Sequence, residues 1–463
     1  MKNKNQLLSG IVVVNKRVCR TIQYGFLIVI IGLSGFACGN KASVSPEKEL
    51  ADRILRDTLM DQVEAMAIDV VKGGFNAGDG YGEVWIRDYN TFIELAMDVM
   101  PDSLIRDNLL TFFRFQGETG DIVDGFIDIK RAVQTDGGYK YRYSESEPRY
   151  GAHKNTVETD QESSLIQAVW RYVTKSGNRA FLQEVVNGKS VLERMEWALE
   201  FLMNERYNAD YGLLWGATTA DWGDVQPEHP WGVELDEYSH LCLDIYDNAF
   251  FVVAINHFLE LTNDVEKQKY WNEIKDRITR NVRTHLWDNV RQKYKPHVYL
   301  AGSPFPDDFD EDAIYYHGGT AIAVEAGFLS KEEIAVVNAA MVANVKASGA
   351  PTIGLTVYPP YPEGFFQNKG MYPYGYQNGG DWTWFGGRMI QQLVRNGFVK
   401  EAYEEARPMF ERVVRNNGFY EWYALDGTPS GSGTFRGEAG VLHKAIEDFR
   451  KWAERSSEFC SPK

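Results

Sequence analysis

The sequence predicts one large all-α domain built as an α/α toroid, and three observations predict it. Apolar residues recur at helical spacing in about a dozen segments. Those segments alternate between very apolar and amphipathic, the mark of inner helices paired with outer ones. Long loops rich in glycine, proline and aromatic residues separate them at 72–90, 116–158, 206–243, 287–319, 347–383 and 417–436, and they carry nearly every chemically useful side chain. No fixed sequence period runs through the chain, which sets a plain helical-repeat solenoid aside.

The elements follow in order. Lys2, Lys4, Lys16, Arg17 and Arg20 form a basic leader, and Gly25 to Ala37 is an apolar run ending in small residues. Such a run is short for a spanning helix and reads as the apolar core of a signal peptide, residues 1–37. Phe36-Ala37-Cys38-Gly39 resembles a bacterial lipoprotein processing site, with Cys38 as the residue to be lipidated. The expectation is an exported protein, lipid-anchored to a bacterial membrane, with a polar tether over 38–46 and a catalytic domain over 47–456. Helices are expected over 50–71, 91–100, 104–115, 160–174, 191–205, 245–261, 265–286, 320–329, 331–346, 384–396, 400–416 and 437–454. The segment 245–261 is apolar on most sides and is expected to be buried.

Net charge is −16, and loss of the five leader cations without any acid makes it −21. A surface this acidic argues against nucleic acid and anionic polymers and suits a neutral partner. Aromatic residues are 13% of the chain, with 12 Trp and 25 Tyr, which fits a carbohydrate binder. Cys242 and Cys460 could pair, but two cysteines so far apart do not make a disulfide framework. There is no zinc spacing of Cys and His, no phosphate-cradling glycine loop with Lys and no Gly-x-Ser-x-Gly elbow, so neither a metal nor a cofactor is expected.

Chemistry concentrates in a few motifs. Thr218-Thr219-Ala220-Asp221-Trp222-Gly223-Asp224 sets two carboxylates three residues apart among Trp, Gly and Thr. Acids beside aromatic rings are what glycoside cleavage requires: rings bind the apolar faces of sugars, and dry walls raise a carboxyl pKa enough to hold a proton near neutrality. Asp221 is the expected general acid and Asp224 its alternative. Phe419-Tyr420-Glu421-Trp422-Tyr423 supplies the second carboxylate, Glu421, as the expected base, with Glu438 as a rival whose place at a helix start suggests a cap. Trp85-Ile86-Arg87-Asp88 is expected to contact ligand, with charge-assisted hydrogen bonds from Arg87 and Asp88. Glu158 or Asp160 opens a helix, as cap or as pocket residue. Tyr376-Gln377-Asn378-Gly379-Gly380-Asp381-Trp382-Thr383-Trp384 reads as a substrate platform, in which amides meet hydroxyls and Trp faces stack on sugar rings. The glycine-rich segment from Ser430 to Arg436 precedes a helix and could hold phosphate.

In motif order these pieces resemble the six-hairpin glycosidases over most of residues 80–450. That superfamily includes trehalases, processing α-glucosidases, glucoamylases and glycogen-debranching glucosidases. The carriers are Trp85-Ile86-Arg87-Asp88, the acid after a Gly/Thr turn, Gln377-Asn378-Gly379-Gly380-Asp381-Trp382, and Glu421-Trp422-Tyr423 before a glycine-rich stretch. The resemblance implies an (α/α)6 toroid and an inverting two-carboxylate hydrolysis, with the mid-chain Asp as acid and Glu421 as base. The implied substrate is an oligosaccharide, an α-glucoside-like one. Two departures stand out: Thr218-Thr219-Ala220-Asp221 and Gln377-Asn378-Gly379-Gly380-Asp381-Trp382 replace the family's usual stretches, so the clan is better marked than the substrate. A phosphorylase of the same fold and a non-catalytic glycan-binding lipoprotein are the alternatives.

Overall fold

The computed structural model describes residues 45–134 and 139–459. The leader, Cys38 and Cys460 lie outside them.

Thirteen α-helices are described: α1 (Pro46–Leu55), α2 (Thr58–Lys72), α3 (Ile86–Val99), α4 (Asp102–Arg114), α5 (Gln161–Ser176), α6 (Val191–Glu205), α7 (Ile245–Leu261), α8 (Val265–Asn281), α9 (His317–Glu325), α10 (Lys331–Ser348), α11 (Thr383–Arg395), α12 (Val399–Asn416) and α13 (Arg436–Phe459). Two boundaries correct the sequence expectation. The single helix expected over 50–71 is two, because the Asp57 side chain accepts from Leu59 N and starts a new helix. The helix expected from 91 begins five residues earlier at Ile86, so Arg87 and Asp88 lie in its first turn rather than in a loop. The chain is also not purely helical. Short antiparallel strands stiffen the long loops, the largest set pairing Val84–Trp85, Gly125–Asp128, Tyr150–His153 and Tyr141–Arg142 in that order.

Six helices touch in a closed cycle: α3 on α5, α5 on α7, α7 on α9, α9 on α11, α11 on α13, and α13 back on α3. The even-numbered helices pack outside them, each against its sequence neighbour. Sequence decides which helices go inside. In α7 thirteen of seventeen residues are buried, including Phe250, Phe251 and Phe258, whereas α8 buries only Trp271, Ile274 and Ile278. Burying one large apolar side chain stabilises by about 1.5–3 kcal/mol, so the apolar segments take the positions covered on all sides.

Inner helices α3, α7, α9 and α11 each reach their outer partner through a short turn, whereas an outer helix reaches the next inner one through a long loop. Antiparallel pairing therefore places the long loops at the N-terminal ends of the inner helices. Backbone N–H groups at those ends are unpaired within the helix and favour negative charge, which suits a carboxylate-rich rim. Among the described residues no helix is long and apolar enough to cross a membrane.

Candidate active site

A pocket enclosing about 130 Å³ opens among these loops. That is below the roughly 300–1,000 Å³ of drug-sized sites, so it takes a ligand on the scale of one sugar ring. Its walls are largely aromatic, with Tyr81, Trp85 and Tyr139 in one group of contacting rings and Trp222, Tyr376, Trp382 and Trp384 in another. Four carboxylates face it, Asp88, Asp124, Asp224 and Glu421, with Arg87 as the cation.

Glu421 stands on the strand Tyr420–Tyr423, paired antiparallel with Pro429–Gly433. Its Oε1 accepts from the Tyr81 hydroxyl at 2.7 Å and its Oε2 from Ser432 N at 2.8 Å. Burial raises its pKa, while these two bonds, which favour the carboxylate, oppose the rise.

The turn 218–224 separates its two acids. Asp221 adopts φ 58°, in the left-handed region that Asp tolerates. Its carboxylate is buried and accepts from Gly318 N at 2.6 Å and Gly319 N at 2.7 Å, at the start of α9. Glycine is required at both positions: a Cβ on Gly318 would stand 2.2 Å from the Trp222 ring and one on Gly319 3.0 Å from Asp221 Oδ1. Asp221 is therefore an anchor for α9 and lies outside the pocket, which corrects its expected place. Burial pushes its pKa up to about 8 against the two backbone bonds. Asp224, three residues on, lines the pocket. Gln377 Nε2 donates to its Oδ1 at 2.8 Å, and its Oδ2 has no hydrogen-bond partner among the described residues. Gly223 admits this contact, since a Cβ there would meet Gln377 Oε1 at 2.5 Å.

Of the Trp85-Ile86-Arg87-Asp88 group, Trp85, Arg87 and Asp88 reach the pocket. Arg87 is not free to clamp hydroxyls, because its guanidinium is ion-paired with Glu158 and with Asp160 at 2.8 Å. Glu158 thus sits behind Arg87, bonded also by Asn155 Nδ2 at 3.0 Å, and is not a pocket residue. Asp160 accepts from the Tyr246 hydroxyl at 2.7 Å rather than capping α5. Burial raises Asp88 to about 8, with Arg87 opposing and Glu421 and Asp124 adding to the rise. Asp124 is raised to about 7, again chiefly by burial.

The platform segment divides likewise. Gln377, Trp382 and Trp384 line the pocket. Asn378 does not: its amide bonds Tyr361 N and O and Met371 O, holding the loop together. Asp381 also turns away, bonded to Thr352 and paired with the buried Arg412 at 2.9 Å. Glu438 is buried against Thr383, Tyr420 N and Tyr423, outside the pocket, and Arg436 donates to Asn76 O at 2.7 Å.

Tyr81, Asp124, Tyr139 and Val233 line the pocket without having been singled out from sequence. Tyr81 is flanked by glycines in Gly80-Tyr81-Gly82, and Asp124 ends the run Gly120-Asp121-Ile122-Val123-Asp124. Those are the same acid-and-aromatic signals used elsewhere, diluted by many similar loops. Apart from Arg87 Nε, which is ion-paired with Asp160, five polar atoms on lining side chains, Trp85 Nε1, Asp88 Oδ1, Trp222 Nε1, Gln377 Oε1 and Trp384 Nε1, have no hydrogen-bond partner among the described residues. Buried polar groups are ordinarily paired, so these atoms mark bonds the protein leaves unmade beside the pocket. Among the described residues no group of three or more His, Cys, Asp or Glu could hold a metal ion.

No protein-family model matches the sequence, and no curated protein matches it. Solved structures share its fold. A rhamnosidase from Klebsiella oxytoca with rhamnose bound matches 84% of this chain and 63% of its own, at 13% identity and a TM-score of 0.54. A GH78 rhamnosidase from Bacillus matches 83% of this chain and 34% of its own, at 14% identity and a TM-score of 0.56. The chain therefore spans less than two thirds of either rhamnosidase. A GH63 mannosylglycerate hydrolase from Thermus thermophilus in complex with glucose is matched over 99% of its length and 82% of this chain, at 15% identity and a TM-score of 0.59. The likeness is one of fold, and the fold this chain shares is one that glycoside hydrolases use.

Proposed function

We propose that the protein is an exported glycoside hydrolase on an (α/α)6 toroid, which removes one glycosyl unit from an oligosaccharide with inversion. The observation that carries this reading is the meeting of Asp224 and Glu421 in a ring-sized aromatic pocket. Fold relatives with rhamnose bound and in complex with glucose support a sugar ligand. The α-glucoside preference follows the sequence resemblance.

In this mechanism Asp224 is the general acid. Gln377 holds Oδ1, so Oδ2 carries the proton and gives it to the glycosidic oxygen as the C1–O bond breaks. Glu421 takes a proton from a water that attacks C1 from the opposite face. Products are the sugar hemiacetal of inverted anomeric configuration and the free alcohol of the leaving group, and both carboxyls then exchange protons with solvent. Trp85, Trp384, Asp88 and Gln377 would orient the ring by hydrogen bonds.

A phosphorylase needs cations for phosphate. Arg87 is already held by two carboxylates and Arg436 by Asn76, which favours water as the acceptor. Export rests on the leader and Cys38. Radiolabelled palmitate incorporation in wild type and Cys38→Ala tests it, and equal labelling of the two would overturn lipidation there.

The test of activity is product release from α- and β-linked disaccharides and aryl glycosides, with and without phosphate, following the released anomer by NMR. A β-anomer from an α-linked substrate without phosphate is the expected result. Cleavage only with phosphate makes the protein a phosphorylase, and tight binding with no product makes it a carrier.

A further inference from the structure

Two glycine-flanked triplets, far apart in sequence, lie against each other beside the pocket. Gly78-Asp79-Gly80 is in the loop before α3, and Gly431-Ser432-Gly433 is in the strand paired with Glu421. Their backbones bond directly, Asp79 N to Gly433 O at 3.0 Å. The Asp79 carboxylate returns two bonds through one oxygen, accepting from Gly433 N at 2.9 Å and Ser432 Oγ at 3.2 Å. Gly80 N donates to Ser432 Oγ at 2.9 Å.

Only glycine permits this approach. A Cβ on Gly78 would lie 2.3 Å from Ser432 Oγ and 2.7 Å from Gly433 O, and one on Gly431, at φ 69°, 2.4 Å from Glu421 Oε2. The result bears on Glu421 from both sides. Ser432, gripped by Asp79, presents its N–H to Oε2, and Tyr81, two residues after Asp79, donates to Oε1.

We propose that this interlock positions the general base, and that Asp79 is a positioning residue that acts on Glu421 through the Ser432 backbone. The inference rests on the reading of Glu421 as base, but its geometry does not. Asp79 is exposed and outside the pocket lining, so it neither touches substrate nor closes the hydrophobic core. Its one engaged oxygen fixes the two residues that follow Gly431. Without it the 431–433 backbone is free to swing and the N–H bond to Oε2 loosens. A carboxylate that loses a hydrogen-bond donor becomes the stronger base.

The groups facing Glu421 set the sign. Tyr81 and Ser432 N favour its charged form, whereas Asp224 and Asp88 disfavour it and Tyr376 adds a donor. Asp79 itself is a negative charge, so deleting that charge alone would lower the Glu421 midpoint. Loss of the Ser432 bond would raise it. The two explanations have opposite signs.

The experiment is a carboxyl titration of Glu421 in the full chain. Side-chain ¹³C-labelled glutamate is followed by NMR, with the signal assigned by its absence in Glu421→Gln. In Asp79→Ala the midpoint is expected to rise by about one pH unit, the worth of one hydrogen bond to a charged group. Asp79→Asn retains an acceptor oxygen but loses the charge, and is expected to show no rise and at most a small fall. Ser432→Ala keeps the N–H but loses one grip, and is expected to shift the same way by less; it serves if Asp79→Ala does not fold. The acidic limb of kcat/KM on the best aryl glycoside should follow the titration, with KM unchanged. An unchanged midpoint in Asp79→Ala, or a fall in both Asp79 variants, overturns the interlock. Hydrolysis surviving in Glu421→Gln overturns the assignment of the base, and leaves the titration result standing.

Discussion

Asp221 and Asp224 are three residues apart in one turn, and their surroundings are opposite. Asp221 faces the interior and spends both oxygens on the N–H groups at the start of α9. Asp224 lines the pocket, with one oxygen held by Gln377 and the other without a partner among the described residues. The left-handed residue at 221 reverses the chain between them. Composition around the two acids is nearly the same, so an acid left available to a ligand is told from a structural one by its hydrogen-bond partners and its access to the pocket.

Amide substitution breaks the comparison most sharply. Asp224→Asn is expected to lose about 10³-fold in kcat/KM on a disaccharide while sparing a 2,4-dinitrophenyl glycoside, whose leaving group needs no proton. Equal losses on both substrates would remove Asp224 from the acid's role. Asp221→Ala is expected to act on stability instead. It strands two buried N–H groups and should cost about 2–3 kcal/mol in urea unfolding, with the shape of the pH–rate profile kept. Gly318→Ala probes the same anchor from the helix side. Its methyl would enter the space of Trp222 and Asp221, and a loss of about 1–3 kcal/mol is expected.

A gentler effect concerns pH. Asp88 and Asp124 have folded pKa values of about 8 and about 7, above their unfolded values near 4. Groups raised in this way contribute stability that is fully present below the unfolded pKa and is lost as pH rises through the folded one. The melting temperature is therefore expected to fall from about pH 4 to about pH 8. Asp88→Asn, which cannot ionise, should flatten that slope; an identical slope in the variant would show that Asp88 does not titrate there.

Much of the helical scaffold was legible in the sequence. Helical periodicity marked α5, α6, α7 and α12 within a residue or two, and the unbroken apolar run of α7 announced an inner position. Periodicity alone missed the break at Asp57, because one capping side chain outweighs an apolar pattern that continues across it. The site was legible as a set of loops more than as a set of atoms. Glu421, Asp224, Trp85, Asp88, Gln377 and Trp382 reach the pocket, whereas Asp221, Glu158, Asn378 and Asp381 bond to the protein.

By itself the sequence determined the alternation of apolar and amphipathic helices and the loops that carry acids and rings, because periodicity and composition are local properties of the chain. Only the tertiary structure decided which carboxylate is spent on the protein and which is left for a ligand. That choice depends on partners distant in sequence: Gly318 for Asp221 and Gln377 for Asp224, brought near by the packing of α7, α9 and α11, and Asp79 and Tyr81 for Glu421, brought near by the contact of the first inner helix with the last.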